Sequence, residues 1–110
     1  MYHPSEVRLS SVVTAELLYG ARHSGRVEDN LRLLSRFFAP FISLPFDDLC
    51  AEHYGQIRED LARSGRLIGP NDLLIAATAR AHDATLVSNN AEEFSRVVGL
   101  RTVDWEQPSP

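Results

Sequence analysis

Apolar positions along this chain switch between two spacings. Residues 8–13, Arg8-Leu9-Ser10-Ser11-Val12-Val13, end in β-branched side chains and read as a short strand. A helix is expected over 14–22, closed by the breaker His23-Ser24-Gly25. Across 27–38, Val27, Leu31, Leu34 and Phe38 recur at steps of four, three and four, which marks one face of a second helix stopped by Pro40. Residues 41–46 read as a second strand with Pro45 near its end. Asp47 or Asp48 then caps a third helix, whose apolar stripe is Cys50, Tyr54, Ile57 and Leu61 and whose end is Gly65. A fourth helix is expected from Asp72 to about His82, with Ala76, Ala77, Ala79 and Ala81 allowing close packing. Residues 84–88 read as a third strand, Asn89-Asn90 as a turn, 92–97 as a short helix and 101–105 as a fourth strand.

Strands alternating with helices predict an α/β fold, a parallel sheet with helices on both faces. In such sheets the ligand crevice lies beyond the carboxyl ends of the strands. Glu16 follows the first strand at that edge, and Asn89-Asn90 follow the third. Asp72 reaches the same edge if its helix returns antiparallel to the strands. Two acids at such junctions point to a divalent-metal site.

Each candidate also has a plainer reading. An aspartate in the first turn, as in Gly69-Pro70-Asn71-Asp72, serves a helix end through the dipole and the unpaired N–H groups. Asn71 is a second candidate for that cap, and Glu16 has the same plain reading as Asp72. Asn90 is ordinary turn chemistry, or an oxygen donor that ligates Mg²⁺ or orients its water. Glu93, one turn further on, adds charge there or faces solvent. His3, His23, His53 and His82 are far apart in sequence and show no zinc spacing. Cys50 fits the core stripe of its helix, and Trp105 reads as a packing residue.

Composition narrows the function classes. The 110 residues, 44% hydrophobic, suit one small domain with a core. No apolar run approaches the roughly 18 residues of a membrane span, and no signal-peptide pattern opens the chain. A single cysteine excludes an internal disulfide framework, so the expected location is cytoplasmic. The net charge of −4 does not advertise nucleic acid, yet acids clustered in a metal site would themselves lower it. All eleven basic residues are arginine. Chemistry that needs a lysine, such as a P-loop or a Schiff base, is therefore excluded.

Several segments together resemble a known family. Ser10-Ser11-Val12-Val13-Thr14-Ala15-Glu16-Leu17-Leu18-Tyr19-Gly20-Ala21 resembles the second block of PIN-domain ribonucleases. So do Ile68-Gly69-Pro70-Asn71-Asp72-Leu73-Leu74-Ile75-Ala76-Ala77 and Thr85-Leu86-Val87-Ser88-Asn89-Asn90-Ala91-Glu92-Glu93-Phe94. The closing Val98-Gly99-Leu100-Arg101 and Asp104-Trp105 fit the same pattern. The resemblance spans essentially the whole chain. It is strongest to VapC toxins, in particular those similar to initiator-tRNA-specific endonucleases. It implies Mg²⁺- or Mn²⁺-dependent cleavage of RNA, in particular tRNA, a VapB-type antitoxin as inhibiting partner, and a homodimer. Carried over by residue, Asp72 and Glu16 match metal-binding acids, and Asn90 matches a position that is aspartate in many members. Ser88 matches a small hydroxyl residue beside the site, and Glu93 matches an acidic position near Phe94. Glu16, Asp72 and Asn90 are thus the expected catalytic residues, with Ser88 and Glu93 in support.

The family pattern begins with a central strand reading roughly Leu-Leu-Asp-Thr-Asn, whose aspartate is a principal metal ligand. Here Met1-Tyr2-His3-Pro4 leads almost directly into the second block, whereas a strand with its crossover takes about a dozen residues or more. The expectation is a single PIN-like domain over 1–110 without its first β-α unit. Such a nuclease would cleave poorly, and its unpaired strand edges would favour association. The competing expectation is an inactive truncated toxin that acts only as an antitoxin- or toxin-binding module.

Overall fold

A computed structural model describes residues 8–88 and 90–104. The expectations for Asn89 and Trp105 fall outside the described residues. The chain divides into two compact units, Met1–Pro45 and Phe46–Pro110.

The first unit runs β1 (Arg8–Ser10), α1 (Ser11–Arg22), α2 (Val27–Phe38), β2 (Ile42–Leu44). The strands pair in parallel, Arg8 opposite Ile42, Leu9 opposite Ser43 and Ser10 opposite Leu44. The two helices form the crossover that a parallel pair requires. The strand expected over 8–13 stops at Ser10, and Ser11, Val12 and Val13 are helical. Local hydrogen bonding overrides the β-branched run here. Ser10 is the N-cap, and its hydroxyl accepts the Val12 N–H at 3.1 Å, while Thr14 Oγ1 donates to Ser10 O at 3.3 Å. On α2 the four residues of the expected stripe are half-buried, together with Asn30, and the rest of the helix is exposed. Among the described residues of this unit, Ala21 is the buried hydrophobic one.

The second unit runs α3 (Asp48–Arg63), α4 (Pro70–Ala81), β3 (Thr85–Ser88), α5 (Ala91–Phe94), β4 (Arg101–Asp104). Asp47 caps α3, its Oδ1 accepting the Cys50 N–H at 3.1 Å. Cys50, Ile57 and Leu61 of α3 are buried, as are Leu73, Ile75, Ala76, Ala77, Thr78 and Ala79 of α4. Small α4 side chains let the two helices approach closely, and this packing is the main core of the unit. Arg80 ties the layer together: its guanidinium donates to His53 Nδ1 at 2.8 Å, Gln56 Oε1 at 2.8 Å and Val98 O at 2.9 Å.

Both helices end in the same cap. Gly65 (φ +70°) follows α3, with Arg66 N–H donating to Leu61 O at 2.8 Å. Asp83 (φ +54°) follows α4, with Ala84 N–H donating to Ala79 O at 2.8 Å. The second cap reverses the chain directly into β3, which pairs in parallel with β4 from Thr85 opposite Arg101 to Ser88 opposite Asp104. The parallel sheet thus takes the form of a two-stranded pair in each unit.

Candidate functional site

Asp72 is the third residue of α4, not its first. Gly69 is the N-cap and Pro70 occupies the first turn, where its missing N–H costs no hydrogen bond. The expected cap at Asn71 is therefore corrected. Gly69 has no side chain to cap with, and Asp72 folds back over it: a Cβ on Gly69 would lie 3.8 Å from Asp72 Oδ2. The carboxylate is thereby held at the positive end of α4, half-buried. Because α4 packs on β3 and reverses straight into it, its start lies at the end of the unit where β3 finishes.

At that carboxyl edge the chain gathers polar groups. The Asn90 backbone N–H donates to Ser88 Oγ at 2.9 Å, and Asn90 Nδ2 donates to Glu93 Oε2 at 3.1 Å. Ser88, Asn90 and Glu93 thus form one hydrogen-bonded group, all half-buried. Asn90 is also the N-cap of the four-residue α5, without a side-chain capping bond, so its amide is committed to Glu93. Parallel register adds Asp104 beside Ser88, at the carboxyl end of the neighbouring strand. Sequence reasoning read Asp104 as part of a strand and of the closing family pattern, without a site role; in the structure it is the last residue of β4.

Glu16 lies in the first unit, exposed, six residues into α1. It was expected in a first turn. Because the helix starts at Ser11, the first turn of α1 carries no acid and Glu16 falls in the second. Within the second unit, among the described residues, Asp72, Glu93 and Asp104 do not converge as a three-acid group with oxygens within 4.8 Å of one another.

The PIN domain sequence profile matches residues 1–100. The tRNA(fMet)-specific endonuclease VapC of Shigella flexneri is 47% identical over 97 residues, which are 88% of this chain and 74% of that protein. The chain is a PIN-domain protein of the VapC family. Solved structures agree. VapBC2 from Rickettsia felis bound to a DNA fragment from their promoter superposes with a TM-score of 0.84 at 43% identity, over 87% of this chain and 72% of that one. VapBC-1 from nontypeable Haemophilus influenzae does so with 0.90 at 31% identity, over 97% and 80%.

Proposed function

We propose that this chain is a divalent-metal-dependent endoribonuclease, the toxin of a VapBC-type pair, acting on tRNA in the cytoplasm. The observation that carries the reading is the Asp72 carboxylate at the start of α4, at the same end of the unit as Ser88, Asn90 and Glu93. Membership of the VapC family, with a tRNA(fMet)-specific endonuclease at 47% identity, supplies the reaction class and the RNA. A VapB-type antitoxin is the inhibiting partner and a homodimer the working form, in keeping with relatives solved as VapBC assemblies.

The donor set fits Mg²⁺ or Mn²⁺ in kind, since carboxylates and an amide are hard oxygen ligands. Mg²⁺ needs only one or two carboxylates when substrate phosphates complete its shell, so a three-acid cluster is not required. Asp72 is the residue of the second unit that would hold the ion, and the family resemblance gives Glu16 of the first unit the same kind of role. When bound, it makes water more acidic and offsets negative charge developing on the phosphate. The chain's own part is positional. The start of α4 positions the Asp72 carboxylate at the site, Glu93 fixes the Asn90 amide, and Ser88 fixes the backbone that carries it.

Incubating the pure chain with initiator tRNA tests this directly. Cleavage should require Mg²⁺ or Mn²⁺, stop with chelator, and fall by about a hundredfold or more in Asp72→Asn. Equal cleavage by that variant would refute the site. A second reading, a non-catalytic module that binds antitoxin or toxin, accords with the relatives solved as VapBC assemblies. No cleavage by the wild-type chain, together with tight antitoxin binding, would select it.

A further inference from the structure

A second cluster of metal-binding side chains lies at the opposite end of α4. Asp47 caps α3, Cys50 is in the first turn of that helix, and His82 is the C-cap of α4. One ligand atom from each lies within 4.8 Å of the other two. We propose that Asp47, Cys50 and His82 form a site for a thiophilic divalent cation of the Zn²⁺ class, separate from the oxygen-rich edge.

The donor chemistry selects the ion. A thiolate and an imidazole beside one carboxylate suit Zn²⁺ or Co²⁺, whereas Mg²⁺ takes oxygen ligands. The two oxygens of Asp47 divide the work. Oδ1 accepts the Cys50 N–H at 3.1 Å and stays with the cap, which leaves Oδ2 aimed at His82 Nε2, 4.0 Å away. In a tetrahedral site, bonds of about 2.0–2.3 Å set ligand atoms roughly 3.3–3.7 Å apart. A shift of about half an ångström brings Oδ2 and Nε2 to that spacing, and Cys50 Sγ lies within 4.8 Å of both. Backbone anchoring is firm on both sides: Asp47 and Cys50 by the cap bond, His82 by its N–H to Thr78 O at 3.1 Å.

Access comes from the Asp47 side, where the side chain is 48% exposed, and water takes the fourth position. Cys50 is buried and gives no route for a substrate, which removes the reading as a catalytic thiol. On binding, the S–H bond is lost, its proton goes to solvent, and a sulfur–metal bond forms. The Cys50 thiol and the His82 imidazole both face the Asp47 carboxylate, so three donor types from two helices already share one point that a cation can occupy. The bound ion would join the start of α3 to the end of α4.

Cobalt(II) titration of the tag-free, chelator-stripped chain tests the site, because Cys50 is the sole cysteine. The expected result is a sulfur-to-cobalt charge-transfer band that saturates at one equivalent, is bleached by Zn²⁺ and is unaffected by excess Mg²⁺. The band should vanish in Cys50→Ser. In His82→Gln, at a half-exposed position, affinity should drop at least about tenfold. Circular dichroism without metal establishes that each variant is folded. If Cys50→Ser does not fold, His82→Gln decides alone. Absence of the band in the wild-type chain, or an undiminished band in His82→Gln, overturns the proposal.

Discussion

Asp47 shows how one residue's surroundings set its behaviour. The Cys50 backbone N–H, pointed at its carboxylate by the start of α3, holds the group below its ordinary value of 3.8. A depressed carboxylate adds stability above the unfolded value, and that stability is lost as pH falls through the lower folded value. With chelator present, Asp47→Ala should therefore melt below the wild-type chain at pH 7. The difference should shrink once pH drops below 3.8, as read from melting curves at stepped pH. Asn90 gives a second test. Its Nδ2 donates to Glu93 at 3.1 Å, so Asn90→Asp would set two carboxylates against each other. That variant should lose about 1 kcal/mol at pH 7 without metal, and recover with Mg²⁺ or in acid. At this scale the sequence named Asp72, Asn90, Ser88 and Glu93 from their neighbours in the chain. It did not name Asp104 or the partners of His82, because register and helix packing place them.

The elements follow from the sequence wherever periodicity and punctuation agree. The stripe of α2 and the Cys50, Ile57, Leu61 face of α3 were readable because burial repeats at the helical period. Helix starts were less so. Ser10 took the cap that the run Ser11-Val12-Val13 seemed to deny, and Gly69 took the one that Asn71 seemed to offer. A capping bond involves one side chain and one N–H, so a few local atoms decide between alternatives that pattern weighs alike. At the other end, Gly65 sits at φ +70° with open space around its α-carbon. Gly65→Ala should thus cost about 1 kcal/mol through backbone strain alone, with no clash, measurable by urea denaturation.

Across the whole molecule, burial is uneven. Ala21 is the buried hydrophobic of the first unit among the described residues, while α3 and α4 of the second carry Cys50, Ile57, Leu61, Leu73, Ile75, Ala76, Ala77 and Ala79. Local stability follows buried apolar contact, so hydrogen exchange should be slowest for amides of α3 and α4 and fast throughout α1 and α2. Equal protection in the two units would contradict this. The sequence alone determined the α/β class, the order of elements and the family, since hydrophobic period and motif blocks are properties of neighbours along the chain. Tertiary structure alone decided which distant residues share an edge. It set Ser88 beside Asp104, brought the start of α4 back to the end of β3, and joined His82 to Asp47 and Cys50. Those pairings depend on strand register and on how two helices pack, and side chains from across the unit fix both.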